Sequence, residues 1–220
     1  MQPFVKCRGK LAVLYRANID TDQIIPKQFL KSVARTGYGE NLFFEWRYDA
    51  SGRPDPSFVL NRPEYDKATI LVAGNNFGCG SSREHAVWAL MQFGFRAVVA
   101  PWKEESPGKR IPAFADIFRS NSTRNGLLTI ELTTDEVQWL VSQDRKYGPL
   151  EATVDLVSQT ITVQGTPRET FHFEIPPDDK KMLLQGLDHI DTTLKDLGEI
   201  ERFERKHNVQ MPTADKSPGL

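Results

Sequence analysis

Apolar residues follow two rhythms along this chain. Leu11-Ala12-Val13-Leu14-Tyr15, Thr69-Ile70-Leu71-Val72-Ala73 and Ala97-Val98-Val99-Ala100 are short continuous runs, and such runs predict buried strands. Between the last two, Ala86, Ala89, Leu90 and Phe93 recur at i, i+3, i+4 and i+7 and predict a helix over Ser82–Phe93, stopped by Gly94. Strand, glycine-punctuated turn, helix and strand make a βαβ unit, which implies a parallel sheet. Farther on, the pattern predicts a helix over Ala113–Arg119, a turn over Asn121–Gly126, a strand over Leu127–Leu132 and a helix over Thr134–Gln143. Alternation predicts two hairpin strands, Val154–Val157 and Thr160–Val163, and a third at Phe171–Ile175. Pro177–Gln185 and Asp191–Lys206 read as helices. The class is α/β.

Polar stretches punctuate these elements. Asn18–Asp22 reads as a turn, and Ser51–Ser57 as a loop. Residues 102–112, bracketed by Pro101 and Pro112, read as a solvated surface excursion. From His207 the chain is poor in apolar residues and reads as a frayed tail. The expected layout is one domain over residues 1–206, including a C-terminal helical segment, and a flexible tail over 207–220.

Composition narrows the function classes. Across 220 residues, 28 Lys+Arg balance 29 Asp+Glu for a formal charge of −1, which argues against a general nucleic-acid binder or a polybasic membrane-surface protein. No apolar run approaches the ~20 residues that span a bilayer, and Met1–Lys10 lacks the layout of a secretion signal. A cytoplasmic setting is expected. Cys7 and Cys79 are the only cysteines, too few to ligate an iron–sulfur cluster. The four histidines are scattered without metal-ligand spacing, so no metal is expected on this chain.

The candidate chemistry lies in Asn75-Asn76-Phe77-Gly78-Cys79-Gly80-Ser81-Ser82-Arg83-Glu84-His85. Gly78 and Gly80 allow positive φ and close approach of backbone N–H groups to a ligand. The following helix N-terminus suits a carboxylate or phosphate. Arg83, read as lying in the first helical turn, is disfavoured there by the helix dipole, which makes sense if an anion sits between them. Ser81 and Ser82 add hydroxyls. A blander reading stands beside this one: Ser81-x-x-Glu84 is also a capping box, Cys79 a small filler, and His85 a hydrogen-bonded core residue.

The segment Asn76–Ala86 resembles the signature of the small subunits of 3-isopropylmalate dehydratases, relatives of aconitase. Asn18–Leu30, Arg35-Thr36-Gly37-Tyr38-Gly39, Leu42-Phe43, Trp46-Arg47, Phe114–Phe118 and Gly186-Leu187-Asp188 resemble the same family in the same order. The resemblance implies a swivelling β/β/α three-layer domain that works beside a large subunit carrying a [4Fe–4S] cluster. It implies isomerisation of 2-isopropylmalate to 3-isopropylmalate, by loss and re-addition of water, in leucine biosynthesis. It further implies Ser81 as the base, Ser82, Arg83 and Arg35 as substrate contacts, and Gly78, Cys79, Gly80 and His85 as supports of the loop. Asp20, Thr21 and Asp22 are expected to fix a turn that faces the partner, with catalysis by Asp22 the minor reading. Trp46 is expected either to close over substrate or to pack in the core. Residues 102–112 depart from the family's pattern.

Two other functions remain open from the residues. One is a small subunit of a related hydro-lyase acting on homoaconitate, citramalate or another malate homologue. The other is a non-catalytic anion-binding module, which leaves the match at Asn18–Leu30 unexplained.

Overall fold

A computed structural model describes residues 1–31, 35–165, 167–187, 194 and 196–207. Its axis is strand β1 (Lys6–Leu14), which serves two kinds of neighbour. The C-terminal part pairs parallel with β2 (Ile70–Ala73), Leu11 opposite Ile70 through Leu14 opposite Ala73. The N-terminal part pairs antiparallel with β7 (Glu151–Asp155), Lys6 opposite Asp155 through Lys10 opposite Glu151. At the changeover sits Gly9, where a Cβ would lie 2.2 Å from Thr69 Oγ1; only glycine lets the strand pass so close.

Beyond β2 the parallel half continues with β3 (Ala97–Pro101) and β6 (Leu128–Leu132). Beyond β7 the antiparallel half continues with β8 (Thr160–Gln164) and β9 (Glu169–His172). The sheet order is β6-β3-β2-β1-β7-β8-β9. The last two parallel strands of the predicted βαβ unit flank helix α3 (Glu84–Phe93) in sequence, as expected.

Both faces of the parallel strands are buried, and the period of two sorts their side chains between two cores. Ala12, Leu14, Leu71, Ala73, Val98 and Ala100 join Ala86, Val87, Ala89 and Leu90 of α3. Leu11, Ile70, Val72, Ala97 and Val99 join Val137, Leu140 and Val141 of helix α5 (Thr134–Tyr147) and the inward residues of β7, β8 and β9. Trp139 of α5 meets the Phe171 ring edge-on at 5.4 Å. The antiparallel half therefore curls over the side that carries α5. Parallel strands, antiparallel strands and helices form the three layers of the expected α/β, β/β/α arrangement.

Several boundaries differ from expectation, each for a physical reason. Strand β1 starts at Lys6, well before the apolar run, because β7 supplies a ladder for its polar end. The turn at Asn18–Asp22 leads into a one-turn helix, α1 (Thr21–Ile24), under a full Asp20–Gln23 capping box. A second one-turn helix, α2 (Phe44–Arg47), follows in the loop region. The excursion at 102–112 is no loop: β4 (Lys103–Ser106) and β5 (Lys109–Ile111) pair as an antiparallel hairpin. The expected helix and turn over 113–126 are one helix, α4 (Asp116–Asn125). Ser122 Oγ donates to the Phe118 carbonyl within it, and the left-handed Gly126 ends it. Helix α6 (Pro177–Gln185) matches its prediction, and α7 (Leu197–His207) occupies the later part of the expected final helix. His207 ends that helix rather than opening the tail. Residues 188–193, where that helix was expected to begin, and the expected tail over 208–220 lie outside the described residues. Among the described residues no helix is long and apolar enough to cross a membrane.

Candidate active site

Strands β1, β2 and β3 end on the same side of the sheet, and the loops leaving them meet there, where open α/β sheets place ligands. The loop after β2 is laced to its neighbours on both flanks. On one flank, Asn18 N–H donates to the Asn75 carbonyl (2.9 Å), Gly78 N–H to Ile19 (2.8 Å) and Thr21 N–H to Cys79 (2.9 Å). The Thr21 hydroxyl donates to the Ser81 carbonyl at 2.9 Å. On the other flank, Phe77 N–H donates to the Ala113 carbonyl (2.9 Å), and Ala115 N–H donates to Phe77 (3.1 Å). The loop is held like a plank between two rails.

Its backbone explains its glycines. Gly78 sits at φ +75°, and a Cβ there would lie 2.2 Å from the Phe118 ring. Gly80, at φ +90°, has more room, so its conformation rather than its packing calls for glycine. Asn76 takes φ +57° and donates from Nδ2 to Asn18 Oδ1 at 2.9 Å.

Thr21, Gly78, Gly80, Ser81 and Arg83 line a cavity of about 280 Å³ whose far wall is Ala115–Phe118. Ser81 is exposed. Helix α3 begins at Glu84, so Arg83 is its N-cap, in extended backbone, and not part of the first turn as expected. No side chain caps that N-cap position. Ser81 therefore lies outside the helix, and the reading of Ser81 as a mere helix cap fails. Arg83 pairs with Asp22, and Lys27 stands 3.5 Å from the same carboxylate. The Arg83 side chain is 15% exposed and that of Asp22 41%, so the cation is held mostly inside while its counter-ion stays reachable from solvent.

The other expected residues have definite places. Ser82 is exposed beside the cavity and does not line it. Burial, and then the Asp20 carboxylate, push the Cys79 thiol above its ordinary range; the neutral thiol is favoured, which fits a filler and not a nucleophile. His85 packs between the Tyr38 ring, edge-on at 5.2 Å, and the Trp88 ring at 4.7 Å. Arg35 is not on the cavity wall: its guanidinium lies 5.4 Å from the centroid of Trp88 on the flank of α3. Gln92 anchors that segment, donating to the Arg35 carbonyl (2.7 Å) and accepting from Tyr38 N–H (2.8 Å). Trp46, half-buried, stacks on Phe43 at 5.5 Å and 9°, beside Phe58, and packs against the core.

Sequence reasoning passed over Asp22 as the partner of Arg83, Thr21 as the tether of Ser81 and Phe118 as the wall behind Gly78. Asp20-x-x-Gln23 is a capping box, and reading it as one would have placed Thr21 and Asp22 at a helix start. A larger cavity, about 670 Å³, lies between β6 and the segment after β9. Its Arg110 and Glu131 already pair at 3.2 Å, and it holds none of the residues singled out from the sequence. Among the described residues no three His, Cys, Asp or Glu side chains gather as a metal site.

Residues 1–135 match the aconitase C-terminal domain family. A 3-isopropylmalate dehydratase small subunit of Desulforapulum autotrophicum is 51% identical over 215 residues, covering 98% of this chain and all of the relative. The protein of that name from Bacillus subtilis is 48% identical over 208 residues, covering 94% of this chain and 98% of the relative. Among solved structures, a 3-isopropylmalate dehydratase from Methanocaldococcus jannaschii superposes with a TM-score of 0.60 at 26% identity. That match covers 90% of this chain and 99% of the other.

Proposed function

From the premise that the chain belongs to the family of 3-isopropylmalate dehydratase small subunits, we propose which of its residues carry the chemistry. As a hydro-lyase subunit it acts in a complex with a large subunit, and the complex interconverts 2-isopropylmalate and 3-isopropylmalate in leucine biosynthesis. The [4Fe–4S] cluster resides in the large subunit. This chain's two thiols do not fit it: Cys7 is engaged with Thr69 on the sheet at 3.6 Å, while Cys79 sits at the loop. When bound in the partner, the cluster supplies Lewis acidity toward the departing hydroxyl.

Ser81 Oγ, exposed and first deprotonated to the alkoxide with its proton lost to solvent, takes the proton from the carbon α to a substrate carboxylate and becomes the neutral hydroxyl. The alkoxide needs its negative charge stabilised before the transfer. The N-terminus of α3 and the Arg83 guanidinium are the sources of positive potential nearby. Arg83 receives a substrate carboxylate in its planar fork, with Asp22 holding the guanidinium in place beforehand. Ser82 adds a hydrogen bond from the rim. Arg35 contacts substrate only by leaving Trp88, so its place as a second contact rests on the family resemblance. Gly78, Cys79, Gly80 and His85 shape and hold the loop. A cytoplasmic setting is part of the same proposal, in keeping with two unpaired thiols.

The observation that carries this assignment is the double lacing of the loop, which sets Ser81 and Arg83 on the wall of one cavity at the C-terminal end of the parallel strands. The test is to mix this chain with its large subunit and 2-isopropylmalate under anaerobic conditions and follow the absorbance of the unsaturated intermediate. Appearance of that absorbance is expected with the parent chain, and its loss with Ser81→Ala. Unchanged turnover in Ser81→Ala would remove Ser81 from the mechanism.

A further inference from the structure

We propose that Ile117 is a specificity-determining residue of this reaction, the apolar contact for the isopropyl group of the substrate. The inference deepens the functional reading above and rests on it.

The cavity that holds Ser81 and Arg83 has two unlike walls. One is the site loop with Thr21, and it offers hydroxyls, a guanidinium and backbone. The other is Ala115–Phe118 at the start of α4, and it is mostly apolar. The walls are joined directly, since Phe77 N–H donates to the Ala113 carbonyl and Ala115 N–H donates to the Phe77 carbonyl. A molecule gripped by the loop therefore meets α4 at a fixed spacing.

Within the α4 wall, Ile117 is the large apolar side chain left open to a ligand. Phe118, 2% exposed, turns inward onto Phe77 and Phe114, with ring centroids 5.2 and 6.2 Å away. Consecutive residues of a helix point about 100° apart, so Ile117 is turned out of that core and stays 53% exposed. Asp116 stands 3.8 Å from Arg119 and suits no apolar group. Ser120 and Arg124, also exposed on α4, are polar. Single exposed apolar residues are ordinary on protein surfaces. Of the large ones among the described residues, Ile117 alone lines the cavity of Ser81 and Arg83.

The chemistry of the substrate needs an apolar contact at this place. In 2-isopropylmalate the isopropyl group sits on the carbon that loses its hydroxyl, and in 3-isopropylmalate the same carbon gives up its proton. The carbon bearing the group is thus either the one that Ser81 deprotonates or its direct neighbour. With a carboxylate in the Arg83 fork and the reacting carbon at Ser81 Oγ, the branched group faces the opposite wall. Ile117 covers it there and excludes water. Such a contact separates isopropyl from smaller substituents by the apolar surface it buries.

The experiment uses the full chain with saturating cluster-loaded large subunit, for the parent, Ile117→Val and Ile117→Ala. It measures KM and kcat for 2-isopropylmalate, and the inhibition constant of 2-methylmalate, which carries a methyl group in place of isopropyl. Expected in Ile117→Ala is a KM raised about tenfold at nearly unchanged kcat. The inhibition constant of 2-methylmalate should move by about twofold or less, because the methyl group does not reach the wall. Ile117→Val should fall between the parent and Ile117→Ala. The urea midpoint should stay at the parental value, since Ile117 belongs to neither core. An unchanged KM, or an equal rise for both compounds, would overturn the assignment. A raised Kd for the large subunit with a parental KM at saturation would likewise overturn it and place Ile117 at the subunit interface. Failure of the parent chain to turn over 2-isopropylmalate would instead overturn the functional reading.

Discussion

At the scale of single residues, the site joins side chains that sequence distance hides. The motif around Ser81 and Arg83 is visible in one stretch, but the carboxylate that holds Arg83 comes from Asp22 across the loop lacing. No local pattern shows that pairing, because it depends on β1 and β2 ending side by side. Ser81→Ala should lower kcat about a thousandfold or more with KM nearly unchanged, in steady-state assays of the assembled enzyme. It should cost less than about 0.5 kcal/mol in urea unfolding, since Ser81 does not cap α3. Arg83→Lys keeps the charge but loses the fork, so KM should rise markedly and kcat fall less. Gly78→Ala forces a positive φ on alanine and a methyl into the Phe118 ring. It should destabilise by at least about 2 kcal/mol, read as a lower urea midpoint. Asp144 gives a separate test: buried, it accepts from the Tyr65 hydroxyl at 3.1 and 3.0 Å. Burial pushes its carboxyl up and pushes the Tyr65 hydroxyl up to about 12. The native state thus holds a proton on Asp144 more tightly than the unfolded chain does. Stability should rise as pH falls from neutral through the raised Asp144 range, and should fall again above about pH 10, where unfolded Tyr65 ionises. Asp144→Asn should abolish the acid-side gain when urea midpoints are compared between pH 7 and about pH 4, the ordinary carboxylate value.

At the scale of elements, what could be read in advance was what buries apolar surface. Continuous runs marked β1, β2 and β3, and the spacing of Ala86, Ala89, Leu90 and Phe93 marked α3, because both cores draw on those positions. The hairpin escaped notice for the converse reason. Lys-Glu-Glu-Ser and Lys-Arg-Ile cover no core, so their pairing leaves no trace in hydropathy. Helix α4 was broken too early because Ser122 and Thr123 look like turn residues, whereas both are buried and Ser122 bonds back to Phe118. Replacing residues 103–111 by a short Gly-Ser turn should shift unfolding stability by less than about 1 kcal/mol, because only surface pairs and one ring contact are lost. Thermal melting of the isolated chain checks this independently of any partner.

At the scale of the whole molecule, the chain is one half of an enzyme whose large-subunit partner carries the metal; the base and the carboxylate grip are what is proposed for this half. Purified alone it should be colourless and inactive, with cluster absorbance and turnover appearing only when the loaded large subunit is added. A brown preparation of the isolated chain would contradict this. The two-sided pairing of β1 also governs how the molecule is made. Its parallel partner ends at Ala73 and its antiparallel partner at Asp155, so β1, the first of these strands in the chain, has one edge covered after about a third of the 220 residues and the other only after more than two-thirds. Sheets closed by such distant pairings form slowly, and meanwhile a strand with an open edge can join a neighbour on another nascent chain. Yield of this subunit in a cell should therefore respond more to chaperone supply during synthesis than to the stability of the finished fold.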